Sequence, residues 1–277
     1  MSLAGRSGVD WLGRRRRHRR PDFLIIGAAR CGTTSLFHYL ARHPQVVVPG
    51  RKELHFFDRH YERGLDWYLQ CFARTDGAGG SPASIRGEAT PSYVFYPHAV
   101  PRISADVPDV KLIALLRNPV DRAYSQYWHM VRLGHESLSF EDAVEREPER
   151  LAGELERTEA DAGYTSEALV RHSYLARGVY ADQIERVFRH FPPGRVKILK
   201  SEDLYTDAQQ VFDEVTGFLG IPRSAIVDPR NMTAVTEGTL GWRPPPMPGA
   251  LRPRLAAFFR PHNDRLYALL GRDLAWE

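Results

Sequence analysis

A loop bounded by two glycines, close to the start of the chain, has the residues to bind a phosphate group. An apolar run at residues 23–26 leads into Gly27, four residues follow, and Gly32 then precedes an amphipathic segment. This order of strand, loop and helix directs backbone N–H groups and the positive end of a helix dipole at a bound anion. The candidate binding residues in the loop are Arg30, Cys31, Gly32, Thr33, Thr34 and Ser35. An ordinary turn between a strand and a helix is the alternative interpretation.

The loop differs from an ATP-binding loop at one position. The glycine spacing is that of the Walker A motif, but Thr33 replaces the lysine that contacts the β- and γ-phosphates. A second apolar run, residues 110–116, ends in Arg117 rather than in the acid that would hold Mg²⁺. A cation there can bind a second phosphate, to which Ser125 could donate from the following helix. These residues predict that the protein binds a nucleotide at two separate phosphate sites and without a metal ion. The alternative is that Arg117 pairs with Asp121.

Strands and helices alternate along the chain, which predicts how these residues are positioned. Apolar runs predict strands at residues 23–26, 46–48, 110–116 and 196–199. Periodicity and proline or glycine boundaries predict helices at residues 61–73, 98–105, 120–133, 173–191, 208–219 and 253–270. Residues 75–84 and 222–249 are predicted to be loops. The alternation predicts a single α/β domain of the P-loop type over residues 21–277, with a parallel sheet flanked by helices on both faces.

The composition is that of a folded protein with a basic N-terminal arm. Of the 277 residues, 43% are apolar and 26% are charged, as is usual for globular proteins. The formal net charge of +4 comes from residues 1–20, which hold seven arginines and a single acid, Asp10. We predict that this arm is disordered, with an acidic partner or membrane surface as the alternative. Because the remainder is slightly acidic, nucleic-acid binding is not expected to be the main function.

No targeting or anchoring segment is expected from the sequence. It contains no apolar stretch of about 18–20 residues that could span a bilayer, and no apolar segment follows the basic arm as in a signal peptide. The two cysteines, Cys31 and Cys71, are expected to be free thiols in a reducing compartment. We therefore expect a cytoplasmic bacterial protein.

The two phosphate motifs together resemble those of a known family, the sulfotransferases that use 3′-phosphoadenosine 5′-phosphosulfate (PAPS). The matching patterns are Gly-x-x-x-x-Gly-Thr-Thr from Gly27 and Arg-x-Pro-x-x-Arg-x-x-Ser from Arg117. The resemblance is greatest to the heparan sulfate N- and 3-O-sulfotransferase domains and their bacterial relatives, and it runs from about residue 23 to the C-terminus. Further matching segments are residues 53–58, 64–68, 88–93, 178–186 and 262–266. The resemblance implies that the first motif binds the 5′-phosphosulfate of PAPS and the second its 3′-phosphate, with PAP as product and no metal.

The resemblance also implies roles for individual side chains. Glu53, with His55 beside it, matches the general base that deprotonates the acceptor. Arg30 takes the place of the lysine that stabilises the leaving group. An arginine keeps the positive charge of that lysine but transfers a proton less readily. His129 matches a histidine on the acceptor side. Arg243 is a candidate phosphate contact, and the candidate acceptor contacts are Lys52, Phe56, Tyr93 and Trp128.

Each of these roles has an alternative. Glu53 and His55 could be a solvated loop before two core phenylalanines, and His129 could be an ordinary surface histidine. Aromatic residues at such positions are often part of the core. Two departures bear on the acceptor: Ala89 replaces a lysine of the heparan-modifying enzymes, and their C-terminal cysteine pair is absent.

The sequence thus predicts sulfuryl transfer from PAPS to an acceptor hydroxyl, with an amine acceptor as the alternative. The acceptor would be a glycan, a lipid-linked sugar or a secondary metabolite. A small-molecule P-loop kinase is the second hypothesis, although the missing lysine and the missing acid argue against Mg-ATP. A non-catalytic anion or nucleic-acid binder that uses the arginine arm is the third.

Overall fold

A five-stranded parallel sheet lies at the centre of the protein. The computed structural model describes residues 19–73, 84–161, 163–228 and 244–276. Within these ranges the strands occur in the order β2-β3-β1-β4-β5. They are β1 (Phe23–Gly27), β2 (Val46–Val47), β3 (Ile85–Ala89), β4 (Lys111–Leu116) and β5 (Val196–Lys200).

Strand β1 and all of β4 after Lys111 are apolar because helices cover both faces of the sheet. All five residues of β1 are buried, and so are the last five of β4. The register places Phe23 opposite Gly87 of β3 and opposite Lys111 of β4. All pairs are parallel, so the carboxyl ends of β1, β3 and β4 lie at one edge of the sheet. The loops that follow these three strands are therefore neighbours in space.

Helices connect the strands and form the outer layers. They are α1 (Thr33–Ala41), α2 (Phe56–Arg59), α3 (Gly64–Ala73), α4 (Ala99–Asp106), α5 (Pro119–Arg132), α6 (Phe140–Glu145), α7 (Glu147–Leu151), α8 (Glu154–Ala160), α9 (Glu167–Arg171), α10 (Tyr180–His190), α11 (Ser201–Thr206), α12 (Ala208–Leu219) and α13 (Leu251–Leu270). The main core surrounds the sheet, and a second apolar cluster joins α5, α6 and α13. None of the helices that the structure describes is long and apolar enough to cross a bilayer.

The predicted fold class is confirmed, and one predicted helix is wrong. A single helix over residues 173–191 was expected, but α10 begins only at Tyr180, after a 3₁₀ turn at Ala176–Gly178. That turn packs tightly, because a Cβ atom on Gly178 would lie 2.8 Å from Phe259 and 3.0 Å from Pro119. Packing against α13 and α5 therefore overrides the helical pattern. Residues 1–18, 74–83 and 229–243, which include most of the predicted arm and loops, lie outside the described ranges.

Gly87 is predicted to be required for the pairing of β3 with β1. A Cβ atom at this position would collide with the ring of Phe23 on the neighbouring strand. We expect Gly87→Ala to lower the free energy of unfolding by about 1–3 kcal/mol, as overpacking in a core usually does. Gly217→Ala, at an open position inside α12, should leave stability unchanged or raise it by up to about 1 kcal/mol. Urea unfolding of both variants measures the difference, and equal stability would contradict the prediction.

Candidate active site

The loop between β1 and α1 is shaped to receive an anion. Arg30 and Gly32 both have left-handed backbones, with φ of 69° and 86°. A Cβ atom on Gly32 would lie 3.0 Å from Leu204 of α11, so a side chain there would be strained and crowded. No side chain caps the N-terminus of α1. The first N–H groups of α1 therefore face the loop together with the positive end of the helix dipole.

Neighbouring elements hold this loop in place. The N–H of Ala28 donates to the carbonyl of Leu115 in β4 at 2.8 Å. The Ser201 hydroxyl, at the start of α11, donates to the carbonyl of Cys31 at 2.7 Å. The loop is thus attached to β4 through Leu115 and to the end of β5 through Ser201, which directly follows that strand.

The second phosphate motif meets the first in space. Arg30 Nε donates to the hydroxyl of Ser125 on α5 at 3.3 Å, and Arg117 Nη1 lies 3.5 Å from the carbonyl oxygen of Arg30. The Arg117 guanidinium also lies 5.8 Å from the ring centre of Tyr205 in α11. Two cations and a hydroxyl from separate parts of the sequence therefore surround one end of the loop.

The segment before α2 lies across the carboxyl end of β3. Its backbone is left-handed at Glu53 (φ 62°) and His55 (φ 53°). This conformation is unfavourable for residues other than glycine. The N–H of Glu53 donates to the carbonyl of Ala89 at 3.0 Å, and that of His55 lies 3.4 Å from the Thr90 hydroxyl. The N–H of Phe56 donates to the Tyr93 hydroxyl at 3.0 Å. These bonds hold the Glu53 and His55 side chains at the edge of the sheet that carries the phosphate loop.

Glu53, His55 and Asp58 form a chain of hydrogen bonds. His55 Nδ1 lies 2.9 Å from Asp58 Oδ2, and His55 Nε2 lies 3.5 Å from Glu53 Oε2. Asp58 is buried and also accepts from the Ser92 hydroxyl at 2.5 Å. The other oxygen of Glu53 is paired with Lys52. Asp58 thus orients the imidazole, and the imidazole contacts the exposed carboxylate of Glu53.

The charges in this chain shift one another's pKa values. Burial raises the pKa of Glu53, but the hydrogen bond from His55 and the charge of Lys52 outweigh it and hold the pKa at about 2. Burial lowers the pKa of His55, while its bonds to Asp58 and Glu53 act in the opposite direction and raise it overall. The pKa of Asp58 is lowered, because its contacts with His55 and Ser92 outweigh its burial. At neutral pH both carboxylates are therefore ionised, and their contacts favour the protonated form of the imidazole over its neutral form more than in a free histidine.

The phosphate loop and Glu53 open onto one cleft of about 320 Å³. Its walls include Arg30, the start of α1, Lys52, Glu53 and His55. Arg59, Ser92, His129 and Arg177 also line it. Among the described residues no group of three His, Cys, Asp or Glu side chains is arranged to hold a metal ion. The geometry therefore places an anion site beside a carboxylate–imidazole pair.

Comparisons with known proteins agree with this arrangement. A model of the sulfotransferase domain matches residues 20–236. Heparan sulfate glucosamine 3-O-sulfotransferase 6 of Homo sapiens is 34% identical over 279 residues, which cover 94% of this chain and 75% of that protein. Heparan sulfate glucosamine 3-O-sulfotransferase 3B1 of Mus musculus is 32% identical over 275 residues, which cover 93% of this chain and 65% of that protein. The chain belongs to the sulfotransferase family.

A solved structure supports the same family assignment. The crystal structure of a sulfotransferase from Alicyclobacillus acidocaldarius is 34% identical and has a TM-score of 0.74. The match covers 93% of this chain and 99% of that one. The predicted family and the predicted enzyme class, a sulfotransferase, are thereby confirmed.

The structure of this sulfotransferase brings most of the predicted site residues together. Arg30, Gly32, Thr33, Thr34, Lys52, Glu53, His55 and His129 line the cleft. Ser125 and Arg117 lie beside Arg30, and Ser35 lies buried in the first turn of α1. Arg243 lies outside the described residues. The roles of these residues in catalysis and binding remain predictions.

Four predicted contacts are corrected by the structure. Phe56 and Tyr93 are fully buried, so their rings pack in the core and cannot touch an acceptor. Trp128 is packed against Tyr124 and Tyr127 and does not line the cleft. The Cys31 thiol is buried beside the Tyr180 hydroxyl, and its N–H donates to the Ala28 carbonyl at 3.3 Å. The thiol, the N–H and the carbonyl of Cys31 are therefore all engaged in contacts within the protein.

The sequence reasoning missed residues that support this sulfotransferase site. Asp58, three positions after His55, was available as a signal, because a helical turn brings such residues into contact. Ser92, Arg59 and Arg177 were not recognisable, since each reaches the cleft from a different element. Tyr205 belongs to a helix that the sequence analysis did not predict.

His55 is predicted to stabilise the fold in a pH-dependent way. Its pKa is raised in the folded state, so its stabilising effect is fully present below the unfolded pKa of about 6.5 and is lost as pH rises through the folded value. We expect His55→Gln to lower the free energy of unfolding by about 1–3 kcal/mol at pH 6, and by less at pH 9. Urea unfolding at both pH values tests this, with the exposed His190→Gln as control. An equal loss at both pH values would contradict the prediction.

Proposed function

We propose that this sulfotransferase transfers a sulfuryl group from PAPS to an acceptor hydroxyl, with Glu53 as general base. The observation that carries the proposal is that Glu53, held by His55, shares one cleft with the phosphate loop. When bound, PAPS supplies an activated sulfuryl group on a phosphate leaving group. The acceptor would be a hydroxyl of a glycan, a lipid-linked sugar or a secondary metabolite. Relatives named as heparan sulfate 3-O-sulfotransferases support a sugar hydroxyl.

The residues of the loop fit the two phosphate groups of such a donor. The uncapped N-terminus of α1 and the Arg30 side chain suit the 5′-phosphosulfate. Arg117 and Ser125 lie on the other side of Arg30 and suit the 3′-phosphate. The ring of Tyr205, close to both Gly32 and Arg117, offers an aromatic surface beside these phosphates.

The proposed reaction is an in-line displacement at sulfur. Glu53 accepts the proton of the acceptor hydroxyl as its oxygen forms the new S–O bond. The S–O bond to the phosphate breaks, and its electron pair stays on the phosphate oxygen. Arg30 and the N–H groups at the start of α1 stabilise that negative charge, so PAP leaves without being protonated. Asp58 keeps the imidazole of His55 oriented towards Glu53.

The base assignment predicts a selective loss of turnover. We expect Glu53→Gln to lower kcat by roughly 10²–10⁴-fold, the usual contribution of a general base, while PAP binds as in the wild type. Glu62→Gln is the matched control, because that carboxylate is exposed and lies near the site in sequence. Single-turnover rates with PAPS and calorimetric binding of PAP measure the two effects. Turnover near the wild-type value would show that Glu53 is not the base.

The donor assignment predicts how nucleotides bind. We expect PAP to bind more tightly than Mg-ATP, whereas the kinase hypothesis predicts the reverse. We also expect Arg117→Met to weaken PAP binding by roughly 10–100-fold, since a charge-assisted hydrogen bond is lost. Binding of AMP, which lacks the 3′-phosphate, should change little. Isothermal titration with the three nucleotides measures this, and an equal loss for PAP and AMP would remove Arg117 from the 3′-phosphate site.

A further inference from the structure

The guanidinium of Arg117 is not held by an acid. Asp121, one helical turn further on, is bound by Arg252 instead, and within the described ranges no carboxylate forms an ion pair with Arg117. The guanidinium lies 3.5 Å from the Arg30 carbonyl and 5.8 Å from the ring centre of Tyr205. Both contacts are weak, since 3.5 Å is longer than an ordinary N–H···O hydrogen bond. The placement of this side chain therefore depends on how its backbone is held.

The peptide unit between Arg117 and Asn118 is held at both of its polar groups. Its carbonyl, that of Arg117, accepts from the buried Tyr180 hydroxyl at 3.0 Å. Its N–H, that of Asn118, donates to Glu202 Oε1 at 2.8 Å. Asn118 is the N-cap of α5, and its side chain accepts from the N–H of Val120. Because the N–H of a cap residue has no acceptor within its own helix, another element must supply one.

Glu202 is in turn held by the C-terminal segment. Its second oxygen, Oε2, lies 3.4 Å from Trp276 Nε1. The indole also contacts the rings of Tyr180 and Tyr267, with ring centres 5.7 Å and 6.1 Å away. Tyr180 is the residue that donates to the Arg117 carbonyl. Glu202, Trp276 and Tyr180 thus form a closed set of contacts around one peptide unit.

The first two residues of α11 connect the two phosphate motifs. The fully buried Ser201 donates to the Cys31 carbonyl in the loop after β1 at 2.7 Å, and Glu202 accepts from the loop after β4. The separation of the two loops is therefore set by adjacent residues of one helical turn. In a nucleotide with 5′- and 3′-phosphates, both groups are attached to one ribose. A protein that holds its two phosphate sites at a matching separation before binding loses less conformational entropy.

A carboxylate beside a phosphate site opposes anion binding by its charge. That charge reaches the loop after β1: burial, the largest effect, and the charge of Glu202 both raise the pKa of the Cys31 thiol. Both oxygens of Glu202 nevertheless contact N–H donors of the protein. Positioning by Glu202 and repulsion by Glu202 therefore predict opposite effects when the carboxylate is removed.

We propose that Glu202 is a positioning residue for the 3′-phosphate site, where it holds the Arg117–Asn118 peptide so that the Arg117 side chain is directed at the phosphate. This inference rests on the proposed use of PAPS as donor. Glu202 does not touch the donor and acts through Arg117, while Trp276 supports Glu202. The preference for a nucleotide with a 3′-phosphate over one with a 3′-hydroxyl thus depends on α11 and on the C-terminal segment.

The test compares PAP with AMP, which differ in the 3′-phosphate. Glu202→Met keeps the length of the side chain and removes both acceptor oxygens. We expect it to weaken PAP binding by about 10-fold, as loss of a hydrogen bond to a charged group does, and to leave AMP binding unchanged. Glu202→Gln, which keeps one acceptor oxygen, should recover part of the loss. Asp203→Asn, an exposed acid in the same turn of α11, is the matched control, and calorimetry measures every affinity.

A double-mutant cycle shows whether Glu202 acts through Arg117. In the Arg117→Met background the positioned side chain is absent, so Glu202→Met should not weaken PAP binding further. Trp276→Phe removes the indole N–H donor and keeps an aromatic ring. It should weaken PAP binding by a smaller factor than Glu202→Met, with AMP binding unchanged. This variant keeps the test decisive if Glu202→Met fails to fold.

Three results would overturn the proposal. The first is PAP binding that is unchanged or tighter in Glu202→Met, or unchanged in Trp276→Phe where that variant is the one that folds. The second is an equal loss for PAP and AMP, and the third is the same loss of PAP affinity in the Arg117→Met background. Failure of the donor assignment is visible separately, because the wild-type protein would then bind PAP no more tightly than AMP, and the inference would fall with it.

Discussion

Three backbone hydrogen bonds fix the segment from Glu53 to Phe56 against the end of β3, and the geometry of the cleft depends on them. Left-handed backbone at Glu53 and His55 costs roughly 1–2 kcal/mol per residue, so the segment needs such anchors to persist. The anchors are the Ala89 carbonyl and the hydroxyls of Thr90 and Tyr93. Without them the Glu53 side chain would not be held in the cleft that it shares with the loop after β1.

The buried carboxyl group of Glu88 holds one of these anchors, the Thr90 hydroxyl, in place. The Thr90 hydroxyl donates to Glu88 Oε2 at 2.8 Å, which leaves its oxygen free to accept from the N–H of His55. Glu88 is fully buried, and burial raises its pKa to about 7 against the opposing hydrogen bonds of Thr90 and Tyr93. Its charge is thus partly suppressed at neutral pH, while Glu53 remains ionised. Burial therefore gives the two carboxyl groups different charge states, Glu88 inside the protein and Glu53 at the cleft.

The sequence predicted the loop between β1 and α1 and the parallel sheet well, because both are encoded locally. Apolar runs buried on both faces identify β1 and β4, and the glycines and threonines beside β1 identify the loop. The errors concern packing between distant elements. Helix α10 starts late because Gly178 lies against Phe259 and Pro119.

Several residues in and around the cleft could not be assigned from local sequence patterns. Tyr93 was expected to face an acceptor, but its hydroxyl is used to hold the N–H of Phe56. Arg177 was predicted to lie inside a continuous helix, where nothing distinguishes it from a solvated arginine. Only the folded chain brings it to Ser92, 85 residues away in sequence, within one cleft. Family resemblance indicated Glu53 and the loop as candidate site residues, but it did not predict that Arg59, Ser92 and Arg177 also line the cleft.

The pairing of Glu53 with Lys52 sets a requirement for the proposed reaction. A carboxylate with a pKa of about 2 is a weak base, and each unit of pKa corresponds to about 1.4 kcal/mol of proton affinity. Of its two partners, His55 is held on its other side by Asp58 at 2.9 Å, whereas Lys52 is a flexible side chain that also lines the cleft. Loss of the Lys52 contact raises the basicity of Glu53. The proposed reaction therefore requires that Lys52 move away from Glu53 before this carboxylate accepts the proton.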